Sequence, residues 1–89
     1  MTIDGIKRPA PSCLIFKREL MNGIEKRRVQ LCYDRLSRDE MNEIRACIKN
    51  TPIELKQGGY LARLKYTASS FELRRGGYDR IKFLFEEID

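Results

Sequence analysis

The chain has 89 residues, of which 42% are hydrophobic and 35% are charged. A chain of this length has room for one hydrophobic core and no second domain. Eighteen Lys and Arg residues against thirteen Asp and Glu residues give a net charge of +5, and most of the excess lies in residues 1–36. This balance favours encounters with nucleic acid or with an acidic protein, but it does not determine a fold.

Membrane insertion and secretion are not indicated. No apolar stretch approaches the roughly 20 residues that a membrane-spanning helix needs, and residues 1–4 lack the layout of a signal peptide. We therefore expect a soluble, cytoplasmic protein without a membrane partner.

The cysteine content predicts neither a disulfide framework nor a metal site. Cys13, Cys32 and Cys47 are odd in number and widely spaced, and histidine is absent. A disulfide-bonded secreted domain would need an even number of cysteines. A zinc site would need closely spaced ligands. We interpret the three thiols as small buried side chains in a reducing compartment and expect no cofactor.

The first elements in chain order are an extended arm and a hairpin. Residues 1–11 contain Pro9 and Pro11 and predict an extended N-terminal arm, so that residues 12–89 form the folded domain. Asn22-Gly23 is the preferred pair for a two-residue type I′ turn. Pairing Met21 with Ile24 makes the residue numbers of opposite partners sum to 45. One face of the hairpin then carries four apolar residues: Leu14, Phe16, Val29 and Leu31. On the other face, Cys13 lies opposite Cys32.

A helix is predicted after the hairpin. Ser37 and Glu40 have the spacing of a capping box, and apolar residues recur at helical spacing from Met41 to Ile48. Asn50 can end the helix, and Pro52 prevents its continuation.

The last third of the chain predicts a three-strand meander over residues 60–67, 70–75 and 79–86. Ala68-Ser69 would form the first turn, and a three-residue loop at Arg75-Gly76-Gly77 would form the second. Residues 53–57 are either a further strand or a linker. The expected core face has seven members: Leu64, Tyr66, Phe71, Leu73, Ile81, Phe83 and Phe85.

Together these elements predict an α+β fold, ββα(β)βββ. It consists of a small antiparallel sheet, made from the N-terminal hairpin and the C-terminal meander, with one helix packed on one face. The order of the strands does not follow from the sequence.

The hairpin register brings like charges together. Five cations crowd the tip, with only Glu19 and Glu25 beside them: Lys17, Arg18, Lys26, Arg27 and Arg28. The meander adds five outward cations: Arg63, Lys65, Arg74, Arg80 and Lys82. Glu72 is expected between Lys65 and Arg80. Directly opposed like charges destabilise a ladder. The cations therefore either bind phosphate groups or extend into water.

The base of the hairpin is apolar on both faces. Cys13, Ile15 and Cys32 lie opposite the core face, where they predict contact with another protein or a second copy of the chain. The alternative is that the N-terminal arm covers them through Ile3 and Ile6.

No catalytic motif is present, because the Gly-Gly pairs lack a phosphate-loop pattern and no nucleophile can be matched to a histidine base. We therefore expect a small non-enzymatic binding protein whose basic hairpin engages nucleic acid or a protein–nucleic-acid complex, as a regulator or inhibitor. The alternative is a protein-interaction module or homodimer that uses the apolar hairpin base, with the charge serving only solubility.

Overall fold

The computed structural model describes residues 1–49 and 52–88. It contains one antiparallel sheet, in the spatial order β2-β1-β5-β6-β7-β4-β3, and one helix. The elements along the chain are β1 (Thr2–Ile3), β2 (Ile6–Lys7), β3 (Cys13–Met21), β4 (Ile24–Ser37), α1 (Arg38–Ile48), β5 (Ile53–Gln57), β6 (Tyr60–Arg74) and β7 (Gly77–Ile88).

The predicted hairpin register is confirmed. Strands β3 and β4 pair without a shift from Cys13 opposite Cys32 to Met21 opposite Ile24. Asn22 and Gly23 both have positive φ, at 52° and 77°, as a type I′ turn requires.

The predicted helix start is also confirmed. The Ser37 hydroxyl accepts a hydrogen bond from the Glu40 N–H at 3.1 Å, and the Glu40 carboxylate accepts one from the Ser37 N–H at 3.0 Å. The helix ends at Ile48, with Lys49 as its C-terminal cap. Asn50, the predicted end signal, lies outside the described residues.

The core lies between α1 and one face of the sheet, which we call the inner face; the opposite face is the outer face. Met41, Ile44 and Ile48 of the helix are buried against alternating residues of the strands. Burying these side chains excludes apolar surface from water and is the main stabilising contribution in so small a domain. The strand residues of the core are Ile3, Val29, Leu31, Tyr33, Leu36, Ile53, Leu55, Ala62, Leu64, Ile81, Phe83 and Phe85.

The predicted turn at Ala68-Ser69 is wrong. Both residues lie inside the continuous strand β6, where Ala68 pairs with Leu84 and Ser69 with Phe83. The pair supplies neither a glycine nor an asparagine for positive φ, so nothing local reverses the chain there. Tyr66 consequently faces Phe85 of β7 instead of Phe71.

The register of the β6–β7 turn also differs from the prediction. Arg74 pairs with Gly77, which leaves the two residues Arg75 and Gly76 as the turn instead of three. Two register shifts, between Tyr66 and Ala68 and between Ser70 and Glu72, interrupt the alternation of β6. Leu73 is therefore 78% exposed instead of lying in the core.

The predicted α+β class is wrong as well. Of the described residues, 69% lie in strands and 13% in the helix, so the fold is dominated by β structure. The hairpin and the C-terminal strands join in one seven-stranded sheet, because β4 pairs with β7 over most of its length. Residues 53–57 are a strand that pairs with β1 on one side and β6 on the other.

Within the first eleven residues, expected as an extended arm, the two short strands β1 and β2 take part in the sheet. Asp4 and Gly5 turn the chain between β1 and β2, with φ of 53° and 80°. The Asp4 N–H donates to the Glu54 carbonyl at 2.8 Å, and the Asp4 carboxylate accepts from the Glu54 N–H at 2.8 Å. Ile3 is thereby fully buried in the core. Residues 8–12, around the two prolines, are irregular.

Candidate interaction surface on the first hairpin

Among residues 1–49 and 52–88, no strand lies beyond β3, which makes it the long free edge of the sheet. It runs over nine residues and has a strand neighbour, β4, on one side, whereas the other edge, β2, has two residues. A free edge presents backbone N–H and C=O groups that another strand can bind.

The turn geometry shows which backbone groups of β3 are free. A two-residue turn makes its flanking pair, Met21 and Ile24, a hydrogen-bonded pair, and such pairs alternate along an antiparallel ladder. The odd-numbered residues of β3 therefore bond to β4. The N–H and C=O groups of the even-numbered residues point away from the sheet, and they belong to Leu14, Phe16, Arg18 and Leu20.

The same edge carries much of the exposed apolar surface. Among the described residues, five of the nine exposed large hydrophobic side chains lie on this hairpin: Ile15, Phe16, Leu20, Met21 and Ile24. Leu20 is 76% exposed and Ile24 64%. Large apolar side chains grouped at one end of a small protein indicate a binding surface. The apolar tip was not predicted from the sequence, although its residue types were readable there.

The three predicted interface residues at the hairpin base lie together on the outer face. Cys13 is exposed, Cys32 is partly buried, and Ile15 borders a groove of about 210 Å³ together with Leu84 of β7. Cys13 is therefore not the buried side chain that the sequence predicted. A hydrogen bond with the Cys32 thiol raises the pKa of Cys13.

The N-terminal arm does not cover these residues. Ile3 is buried in the core on the inner face, and Ile6 lies in the opposite edge strand and is 55% exposed. The alternative in which Ile3 and Ile6 cover the hairpin base is wrong.

The basic tip is more neutralised than the hairpin sequence indicates. Arg18 lies 3.5 Å from Glu25, and Arg27 lies 3.8 Å from Glu87 of β7. Arg28 lies 3.5 Å from Glu19, and Lys26 lies 3.8 Å from Glu86 of β7. Since exposed pairs of this kind contribute less than about 1 kcal/mol each, their main effect here is to lower the local positive charge.

Glu86 and Glu87 were missed as members of the tip because the sequence does not reveal that β7 is the neighbour of β4. Glu86 lies directly opposite Arg28 in the ladder.

One row of side chains on the outer face keeps an excess of positive charge. Lys17 is opposite Arg28, Arg28 is opposite Glu86, and Glu86 is opposite Lys65. The row thus contains three cations, on β3, β4 and β6, and one carboxylate, on β7. Within residues 1–49 and 52–88, neither Lys17 nor Lys65 has a carboxylate oxygen within 4.0 Å.

The other predicted cations of the meander do not join this row. Arg74 lies 2.8 Å from Asp79, and Arg80 lies 3.2 Å from Glu72, both toward the opposite end of the sheet. Glu72 thus pairs with Arg80 but does not lie beside Lys65. Lys82 is opposite Cys32 and Ser70 on the outer face, and Arg63 is opposite Ile88.

Two aromatic side chains pack against each other on the inner face near the tip. Phe16 of β3 packs edge-to-face on Tyr60 of β6, with ring centroids 4.9 Å apart, although β4 and β7 lie between those strands. The sheet must therefore curl at this end. Burial raises the pKa of Tyr60 to about 12.

In the described part of the chain, no group of three or more His, Cys, Asp or Glu side chains could hold a metal ion, and the helix is too short and too polar to cross a membrane. Comparison with known proteins finds no matching family model, no similar curated protein and no similar solved structure.

Proposed function

We propose that this chain is a non-enzymatic protein-interaction module whose free edge strand β3 adds to a strand of its partner. One observation carries the proposal: the long free edge of the sheet is also where exposed apolar side chains concentrate. Strand addition draws affinity from backbone hydrogen bonds and specificity from alternate side chains.

The character of the edge supports this proposal. Protein edges that must stay free are short, irregular or heavily charged on both faces. Strand β3 pairs with β4 without a bulge, and its Lys17, Arg18 and Glu19 are flanked by Ile15 and Phe16 on one side and by Leu20 and Met21 on the other. Covering these side chains would exclude apolar area from water, at about 25 cal/mol per Å².

The proposal is tested with Arg18→Pro and a matched control, Arg18→Ala. Both remove the same charge, but only proline removes the outward N–H, and neither removes a β3–β4 hydrogen bond. The tagged protein is used to capture partners from a nuclease-treated extract of the native host. The captured proteins are identified by mass spectrometry, and an untagged copy of this chain counts as one possible partner.

We expect the parent and Arg18→Ala to retain a captured protein that Arg18→Pro loses at least tenfold. Circular dichroism and urea unfolding check that Arg18→Pro is folded. Capture of the same proteins by all three, or of none by the parent, would contradict strand addition at β3.

A second candidate function, binding of nucleic-acid phosphates on the outer face, is favoured by the row of Lys17, Arg28 and Lys65 around Glu86. Contacts between Lys or Arg and phosphate release counterions, which makes affinity fall with salt. Within this row, the Glu86 carboxylate would repel phosphate groups and weaken such binding.

This second candidate predicts opposite effects of two substitutions on oligonucleotide affinity. Glu86→Gln should tighten binding, whereas Lys65→Ala should weaken it and reduce the log–log salt slope by about one. Fluorescence anisotropy between about 50 and 200 mM salt measures both, with Arg75→Ala, in the turn at the far end of the sheet, as the charge control. A salt-independent affinity of the parent would exclude phosphate binding.

A further inference from the structure

We infer that the partner of β3 is β3 of a second copy of this chain, paired antiparallel across a two-fold axis with Arg18 opposite Arg18. This inference rests on the proposed strand addition and identifies its partner. A dimer with two-fold symmetry is the commonest homo-oligomer.

The geometry of the edge limits the possible registers. The free N–H and C=O groups belong to even-numbered residues of β3, so these residues must bond to even-numbered residues of the second copy. Such a pairing also keeps the inner faces of the two sheets on the same side, because side chains alternate between the faces. The two-fold axis can therefore pass through any single residue of β3, but not between two residues.

The register centred on Arg18 is self-complementary. It places Phe16 opposite Leu20 of the second copy, Ile15 opposite Met21, and Lys17 opposite Glu19. Apolar side chains thus meet apolar ones on both faces. Lys17, which has no carboxylate within 4.0 Å among the described residues, meets an anion. Each Arg18 at the centre already lies 3.5 Å from Glu25 of its own chain, which lowers the repulsion between the two guanidinium groups.

The neighbouring registers are not complementary. Centring on Lys17 places lysine opposite lysine, Phe16 opposite Arg18 and Ile15 opposite Glu19. Centring on Glu19 places glutamate opposite glutamate and Lys17 opposite Met21. Cross-strand pairs of opposite charge or of apolar side chains each stabilise a ladder, and like charges destabilise it. Charge and apolar complementarity therefore favour the Arg18 register.

The test is a charge reversal and its rescue, measured by sedimentation of the purified full chain over a range of concentrations. The parent should associate reversibly into dimers. Lys17→Glu places glutamate opposite glutamate at both symmetry-related positions and should weaken dimerisation roughly tenfold. The double variant Lys17→Glu with Glu19→Lys restores opposite charges and keeps one carboxylate beside Arg28, so its dimerisation should return to within a few-fold of the parent.

Arg75→Glu, which makes the same charge change in the turn at the far end of the sheet, should leave dimerisation unchanged. Urea unfolding confirms that each variant is folded. A parent that is monomeric at every accessible concentration overturns self-pairing, and so does a dimer that Lys17→Glu leaves intact; failure of the double variant to restore it overturns the Arg18 register. One outcome separates the two proposals. If the parent is monomeric but captures a different protein that Arg18→Pro fails to capture, self-pairing is wrong and the proposed strand addition stands.

Discussion

At the scale of single residues, Gly77 is the glycine whose replacement the packing opposes. It is buried opposite Ser37 at the start of β7, and an added Cβ would collide with the backbone carbonyl oxygen of Leu36. A backbone atom cannot move aside as the end of a flexible side chain can, so β7 would have to shift away from β4.

We expect Gly77→Ala to lower the free energy of unfolding by about 1–3 kcal/mol, the usual cost of overpacking. Gly59→Ala is the matched control, because nothing lies within 4 Å of its added Cβ and its effect should stay below about 1 kcal/mol. Urea unfolding measures both. Equal losses in the two variants would show that Gly77 is not a close-packed position.

Tyr60 links stability to alkaline pH. Burial raises its pKa to about 12 from the ordinary value of 10.0, so the folded chain favours the neutral phenol. Its contribution to stability is fully present below pH 10 and is lost as the pH rises toward 12, because the unfolded chain ionises first.

We expect Tyr60→Phe to reduce the fall of unfolding free energy between pH 10 and 12. At pH 7 it should cost little, because the Tyr60 hydroxyl has no hydrogen-bond partner among the described residues and the ring can keep its contact with Phe16. Urea unfolding at a series of pH values compares the two proteins. An unchanged slope in the variant would exclude Tyr60 as the responsible group.

At the scale of elements, the helix depends on its N-terminal cap. Ser37 → Ala removes the hydroxyl that accepts the Glu40 N–H and should cost about 0.5–2 kcal/mol of unfolding free energy. Ser70→Ala is the control, because Ser70 is exposed. If both variants lose the same stability by urea unfolding, the capping box does not stabilise the fold.

At the scale of the whole molecule, the first strand of the chain pairs with a strand that lies far away in the sequence. Strand β1 pairs with β5, with Thr2 opposite Lys56, and it brings Ile3 into the core. Pairing across so long a separation must overcome the entropy of closing a long loop, which slows folding.

Two substitutions of the same residue type test this closure. Ile3→Ala should cost about 2–5 kcal/mol, because it leaves a cavity in the core. Ile6→Ala, at a position 55% exposed, should change the unfolding free energy by less than about 1 kcal/mol. Similar urea midpoints for the two variants would contradict the burial of Ile3.

The distribution of charge in the folded molecule also differs from the one that the hairpin sequence indicates when it is considered alone. Four of the five tip cations have carboxylates within 4.0 Å, and two of those carboxylates belong to β7. The net charge of +5 therefore does not concentrate at the tip. Because carboxylates neutralise most of the tip cations, the apolar edge of β3 is a better candidate for a binding surface than the basic tip.

The features that follow from the sequence are those in which the interacting residues are close along the chain. Asn22-Gly23 set the register of β3 and β4 because its positive φ angles suit one tight turn, and Ser37 with Glu40 set the helix start because a cap needs only one turn of backbone. The neighbours of each strand follow from the folded structure alone, since a strand can pair equally well with any other strand that has free N–H and C=O groups. That choice made Tyr60–Arg74 one continuous strand, brought Glu86 and Glu87 to the basic tip, and left β3 as the open edge.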